Sequence, residues 1–305
     1  MSDGVILSKC FAGGVGCGLA GLITNPCDVI KVRNQQFGST DARYRTFRGT
    51  ASSILREEGA RGFGKGVGAS VLRECTYSAL RMGLYEPIKS RYTLALDGGD
   101  ETSSPSPSPS PSPSPSPLVK WLSAFTSGAI GSALFNPVDV VKVRYQSTPG
   151  PIPPYPSLLG AFRTIHAGEG GMRGLYIGTS ATVTRAAFLT SAQLGSYDVI
   201  KNDVLVREFS LDGEAGGTHL CASAIASLLT TTAANPADVV KTRVMNDPQG
   251  AVGGPYAHSL HVMRTDGAMG FMRGWTASYL RIGPHTVLSL VLIEKVRQAI
   301  GMTSY

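Results

Sequence analysis

The chain has 305 residues, a formal net charge of +7, only 16% charged residues and 37 glycines, with a mean hydropathy of +0.05. Length alone would suit two soluble domains, but so little charge with this much glycine fits a polytopic membrane protein, and nothing beyond the positive balance points to nucleic acid. Five cysteines, Cys10, Cys17, Cys27, Cys75 and Cys221, are odd in number and form no Cys-x-x-Cys, which argues against a disulfide framework or a zinc site and leaves packed thiols.

Met1 to Lys9 shows neither a signal-peptide layout nor an Arg-rich amphipathic helix, so targeting information is expected to be internal. Eighteen uncharged residues then separate Lys9 from Asp28, 18 separate Lys120 from Asp139, and 23 separate Glu214 from Asp238. Each run is long enough to cross a bilayer. Their small residues, Gly13, Gly14, Gly16, Gly18 and Gly21 in the first, Gly128 and Gly131 in the second, let helices approach closely in lipid.

The first run ends in Asn25-Pro26-Cys27-Asp28-Val29-Ile30-Lys31-Val32-Arg33, and its helix is expected to stop near Gln35. An amphipathic stretch from Thr50 to Glu58, closed by Gly59, reads as a helix lying along the membrane surface. A glycine-rich turn leads to a second membrane helix, Ala69 to Lys89, which carries Arg73, Tyr77 and Arg81 and ends Tyr85-Glu86-Pro87-Ile88-Lys89. Charges inside a span are costly, so these should face a wet interior and serve function.

Ser104 to Pro117 is a Ser-Pro repeat that cannot build a packed core and reads as an extended, solvated linker. Beyond it the same order returns. Asn136 to Arg144 repeats the Asn-Pro-x-Asp-x-x-Lys-x-Arg pattern at the end of a helix from Leu118 through Gln146; a surface stretch follows at Ser157 to Ala167, then a helix ending Tyr197-Asp198-Val199-Ile200-Lys201. A third copy runs through Asn235 to Arg243, with its helix ending near Met245, a surface stretch at His258 to Asp266, and a last helix closing Ile293-Glu294-Lys295-Val296-Arg297. Three in-register copies define a three-fold internal repeat: repeat one over 1–99, a linker over 100–117, repeat two over 118–210 and repeat three over 211–305. Six spans in three pairs are expected.

Arg73, Arg185 and Arg281 each precede the terminal acid of their helix, Glu86, Asp198 and Glu294, by 13 positions. Three guanidinium forks, matched in shape to carboxylates, therefore share one depth, about 20 Å from those acids at roughly 1.5 Å per residue. One turn on come Tyr77, Leu189 and His285; two turns on come Arg81, Gln193 and Ser289. Three like charges at one depth repel unless an anion or water compensates them. No nucleophile and base pair or metal cluster recurs at useful spacing, so an enzyme is disfavoured.

The three signature copies resemble those of the mitochondrial carrier family, and the resemblance covers essentially the whole chain. The family's second element is similar but imperfect here: Glu58-Gly59 with Phe63-Gly64-Lys65-Gly66, Gly170-Gly171 with Tyr176-Ile177-Gly178, and Asp266-Gly267 with Met272-Arg273-Gly274. The resemblance implies an all-α membrane fold: six transmembrane helices in three pseudo-symmetric two-helix repeats, with short matrix surface helices around a central cavity. It also implies a monomer in the mitochondrial inner membrane with termini facing the intermembrane space, contacts with lipids such as cardiolipin, small anionic metabolites as partners, no nucleic acid and no cofactor.

By the same resemblance, a matrix gate pairs Asp28 with Lys142, Asp139 with Lys241 and Asp238 with Lys31. Gln35 and Gln146 brace it, and Met245 leaves the third brace missing. The opposite, cytoplasmic gate pairs Glu86 with Lys201, Asp198 with Arg297 and Glu294 with Lys89, braced by Tyr85 and Tyr197 while Ile293 breaks the pattern. Arg73, Arg185 and Arg281 fall on the family's substrate contact points, and Tyr77, Arg81 and His285 extend the substrate-binding set. Arg73-Glu74, Arg185-Ala186 and Arg281-Ile282 look like the dicarboxylate and oxoglutarate branch, which includes the uncoupling proteins, although Glu74 stands where close relatives tend to have Gln. The implied function is antiport of small dicarboxylates such as malate, oxoglutarate, oxaloacetate or succinate, against phosphate or sulfate in some cases. A proton or fatty-acid anion leak of the uncoupling type and a non-transporting membrane scaffold are the alternatives.

Overall fold

A computed structural model describes residues 3–96, 116–199, 216–247 and 252–299. Helices dominate it, and no strand occurs among the described residues. They are α1 (Asp3–Phe37), α2 (Phe47–Glu58), α3 (Val67–Leu96), α4 (Pro117–Leu134), α5 (Asn136–Ser147), α6 (Leu158–Gly168), α7 (Met172–Leu175), α8 (Thr179–Val199), α9 (Gly216–Met245), α10 (Pro255–Asp266) and α11 (Trp275–Ala299). The repeat order read from the sequence recurs as α1, α2 and α3, then α4 to α8, then α9, α10 and α11. The Ser-Pro tract falls almost entirely outside the described residues.

The long helices close a ring: α1 packs on α3, α3 on α4, α4 on α8, α8 on α9, α9 on α11, and α11 back on α1. Glycines permit the tightest of these contacts. A Cβ on Gly14 would lie 2.9 Å from the Cys75 carbonyl oxygen of α3, and one on Gly16 would lie 2.8 Å from Ile293 Cα of α11. Backbone cannot yield there as a side-chain tip would, so the small residues of α1 fix its separation from both neighbours.

Each signature proline acts on its helix, because it lacks an N–H and crowds the carbonyl one turn back. Pro26 and Pro236 lie inside α1 and α9. In the second repeat the expected single helix is instead two: α4 and α5 meet at Phe135 with a bend of 67°. By length and apolar content, Phe11–Phe37 passes as a membrane span and the bent pair would be a second, broken one. Among the described residues the other long helices do not meet that test; α3, for instance, carries Arg73, Glu74, Arg81, Glu86 and Lys89, charges that suit a helix lining a polar interior.

Short helices cover the signature end. Thr46 caps α2 by accepting from Gly49 N at 3.1 Å, and Ser157 caps α6 by accepting from Gly160 N at 3.0 Å. Ile54 of α2, Ile165 of α6 and Val262 of α10 are fully buried, so each helix docks an apolar stripe inward. Gly59 and Gly267 end α2 and α10 with φ of 67° and 66°, a left-handed conformation that favours glycine.

Candidate functional site

The ends of α1 and α9 beyond Pro26 and Pro236, together with α5, converge and bury their charged motif residues. Lys142 Nζ donates to Asp28 at 2.8 Å, Lys241 to Asp139 at 2.7 Å and Lys31 to Asp238 at 2.7 Å. All six side chains are buried. Each pair joins one repeat to the next, so the three bonds form a closed cycle with the partners that the resemblance implies.

The signature arginines make a second cycle outside the first. Arg33 forks onto Glu58 at 2.7 and 3.0 Å, Arg144 forks onto Glu169, and Arg243 donates to Asp266 at 2.7 Å. The Nε of each reaches a carbonyl of the following repeat: Arg33 to Gln146 at 3.1 Å, Arg144 to Met245 at 3.1 Å, Arg243 to Gln35 at 3.3 Å. In repeat two the acid of the second element is therefore Glu169. The sequence reading placed Gly170-Gly171 there, because an extra glycine separates this acid from the turn. Burial pushes the Glu58 carboxyl up, and bonds from Arg33 and Lys65 outweigh it, holding the group below its ordinary value.

The signature asparagines carry a role that the sequence reading did not assign. Asn25 Nδ2 donates to the carbonyls of Phe63 and Lys65, Asn136 to those of Leu175 and Ile177, and Asn235 to those of Phe271 and Arg273. Each amide thus satisfies two buried backbone acceptors of its own repeat's turn. Invariance across the three copies was the available signal.

The glutamine braces differ from expectation. Gln35 accepts from Thr242 Oγ1 at 2.7 Å, while Gln146 donates to Asn25 Oδ1 at 3.1 Å and to Ser70 at 3.2 Å. Neither hydrogen-bonds a Lys–Asp pair; both press instead on left-handed glycines of a neighbouring repeat. A Cβ on Gly274 would sit 3.0 Å from Gln35 Cγ, and one on Gly66 would sit 3.2 Å from Gln146 Cγ. Met245 occupies the third such place, against Gly178.

A larger departure concerns the three arginines at one depth. Arg73 Nε donates to Asp139 Oδ1 at 2.8 Å, Arg281 Nε lies 2.5 Å from Asp28 Oδ1, and Arg185 Nε donates to Asp238 Oδ1. Each signature aspartate therefore gives one oxygen to a lysine and the other to an arginine. Glu74 Oε1 adds a bridge, accepting from Arg73 at 2.7 Å and from Arg281 at 3.3 Å. The expected mutual repulsion is compensated by protein carboxylates. An arginine stem is long enough to reach the aspartate ring from its own helix, which depth alone did not reveal.

These groups surround a cavity of about 60 Å³ lined by Asp28, Asp139, Asp238, Lys31, Lys142, Lys241, Arg73, Arg185, Arg281, Gln35 and Gln146, with Val32, Val143 and Thr242. Within the connected network, six cations (Lys31, Lys142, Lys241, Arg73, Arg185 and Arg281) face four carboxylates (Asp28, Asp139, Asp238 and Glu74). The formal excess is two positive charges.

Tyr77, Arg81 and His285 lie off this cavity. The Arg73 guanidinium sits 4.9 Å from the Tyr77 ring centroid, a cation–π distance, and Tyr77 Cδ2 lies 3.3 Å from the place a Cβ would take on Gly131. Arg81 is exposed. His285 is partly buried, and its Nε2 has no hydrogen-bond partner among the described residues.

At the opposite end, Lys89 lies 3.5 Å from Glu86 on its own helix and 5.8 Å from the Tyr85 ring centroid. Lys201 and the side chains of Tyr197, Asp198 and Glu294 fall outside the described residues, and with them the expected pairs of Glu86, Lys89 and Arg297. Among the described residues no group of three or more His, Cys, Asp or Glu is placed to hold a metal ion.

Residues 2–95, 113–207 and 214–304 each match the family model described as Mitochondrial carrier protein. Along nearly their whole length, similar chains include "Mitochondrial substrate carrier family protein ucpB" of Dictyostelium discoideum, 34% identical over 96% of both chains. "Mitochondrial uncoupling protein 4" of Arabidopsis thaliana is 34% identical over 94% of this chain and 96% of its own. "Dicarboxylate carrier UCP2" of Danio rerio is 33% identical over 94% and 90%.

Proposed function

The protein belongs to the mitochondrial carrier family, and from that premise we propose that it exchanges small dicarboxylates across the mitochondrial inner membrane by alternating access. The observation that carries this reading is the excess of two positive charges around the cavity, held by three forked arginines. A dianion would neutralise that excess, and guanidinium forks suit its two carboxylates.

The shared aspartates link binding to opening. Arg185 and Arg281 grip the two ends of the substrate, and Arg73, with Tyr77 and Arg81, completes the site. As each arginine turns to the substrate, its aspartate keeps only one of its two cations. A buried charge that loses a partner is destabilised by several kcal/mol, so the Lys–Asp cycle loosens as the substrate is taken. The helices then part at the signature end, while Glu86 with Lys201, Asp198 with Arg297 and Glu294 with Lys89 close the other. The cavity stays near the midplane and access alternates around it.

In this reading the protein is a monomer with six spans, its termini face the intermembrane space, and α2, α6 and α10 lie on the matrix surface against lipids such as cardiolipin. The names of several relatives, uncoupling proteins among them, favour one second reading, a proton or fatty-acid anion leak through the same fold. A scaffold that transports nothing leaves the arginines unexplained. The discriminating test is reconstitution in liposomes with labelled malate outside and malate, oxoglutarate, oxaloacetate, succinate, phosphate or sulfate inside. Saturable uptake that needs an internal counter-anion and exceeds any proton flux supports exchange. Proton flux without counter-anion-dependent uptake contradicts it.

A further inference from the structure

Glu74 breaks the three-fold pattern of the cavity. The other three carboxylates of the network belong to the signature copies, one per repeat; Glu74 stands alone on α3. Its Oε1 takes Nη1 of Arg73 at 2.7 Å and Nη2 of Arg281 at 3.3 Å, so one carboxylate spans two of the three arginines and joins repeat one to repeat three. The side chain is only 7% exposed. It is also clamped: a Cβ on Gly21 of α1 would lie 3.0 Å from Glu74 Cγ, so the glycine makes room for the acid, and α1 and α11 hold it from two sides. Among the described residues, the acid recorded beside Arg185 is Asp238 alone.

We propose that Glu74 is an internal carboxylate ligand of the arginine site that an incoming substrate carboxylate must displace, and is thereby the residue that sets the site's affinity for dianions. The proposal rests on the reading of the arginines as the substrate site. A carboxylate tied to both Arg73 and Arg281 competes for the forks a dicarboxylate needs, whereas Arg185 is held by its signature aspartate Asp238 without that second acid. Specificity follows, because a competitor already in place discriminates against weakly held anions.

Displacement also moves a proton. An ionised Glu74 that has lost both guanidinium partners would be left underpaired in a buried site, which is costly, so the released carboxylate takes up one proton from the compartment that supplied the substrate. Binding and proton uptake are then linked, and dianion affinity rises as pH falls. The groups facing Glu74 are Arg73 and Cys75 on its own helix, Arg281 and His285 from α11, Lys142 from α5, and Cys17 of α1. Of these, His285 is the one whose ordinary titration falls near neutrality, and the variant below leaves it in place.

The test compares wild type, Glu74→Gln, Glu74→Asp and Arg185→Ala at pH 7.5 and pH 6. Malate-induced thermal stabilisation of purified protein is read beside the KM of malate exchange in liposomes. Glu74→Gln should lower the malate KM about tenfold or more at pH 7.5, the scale of one charge-assisted hydrogen bond, and should flatten its pH dependence. Glu74→Asp keeps the charge with less reach and should fall between. An unchanged or higher KM in both Glu74 variants, whatever their melting temperature without ligand, would overturn the proposal, since a merely bracing residue can cost stability but cannot be a competitor. Arg185→Ala separates the two levels: if it still binds malate as wild type does, the substrate-site reading itself fails, and if it loses binding while Glu74→Gln gains nothing, only the role of Glu74 falls.

Discussion

The two ends of the helical ring carry the same chemistry, acids and bases at fixed spacing, and their described residues differ in how far they are buried. At the signature end every aspartate is buried and shared between two cations from other helices. At the other end Glu86 is 58% exposed and lies near Lys89 of its own helix. The contrast lies in burial: the signature carboxylates are shut away from water, and Glu86 is not. Pro26, Pro137 and Pro236 stand where the signature ends come together.

The contrast predicts unequal mutational costs. Asp139 holds both Lys241 and Arg73, and Asp139→Lys should cost about 3 to 5 kcal/mol in stability in detergent, because it strands two buried cations. Adding Lys241→Asp should recover part of both stability and exchange, as a swapped pair restores attraction. A double variant no better than the single ones would break the assigned pairing.

At the other end the expectation is smaller. Glu86→Gln should change the melting free energy by about 0 to 1 kcal/mol, the range for exposed pairs. It should nevertheless slow exchange, because the proposed pair with Lys201 forms only when that end closes. Full exchange with unchanged stability would remove Glu86 from the gate.

Smaller still is a pH effect on the short helices of the signature end. Burial pushes the His258 imidazole down, and its contact with Asp247 at 3.2 Å only partly opposes this. A group whose value is lowered on folding favours the native state while neutral, so its contribution is complete above about pH 6.5 and is lost as pH falls below that value. Melting measured from pH 7.5 to pH 5 should show a modest decline that His258→Asn reduces, and an identical decline in the variant would assign it elsewhere.

Much of this arrangement was legible in the sequence because it is repeated. Three copies of one nonapeptide located the aspartates and lysines, the family resemblance implied how they pair, and a common 13-residue offset placed three arginines at one level. What escaped notice is where a side chain reaches. Depth along a helix says nothing of a guanidinium folding back onto Asp28, Asp139 or Asp238. Glu169 was missed because Gly170 shifts it from its expected place, and Gln35 and Gln146 were assigned to the ion pairs although their amides serve Thr242, Asn25 and Ser70. The break at Phe135 was equally invisible, since α1 and α9 run unbroken through the same Asn-Pro.

The central claim is that the arginine ring receives the substrate, and uptake by Arg73→Ala, Arg185→Ala and Arg281→Ala proteins of verified insertion tests it most directly. Loss of one gripping arginine should cost about 2 to 5 kcal/mol, a factor of roughly 30 to several thousand in affinity. Lysine at the same place should rescue only part, because it keeps the charge and loses the fork. Wild-type dicarboxylate exchange in all three alanine proteins would contradict the account.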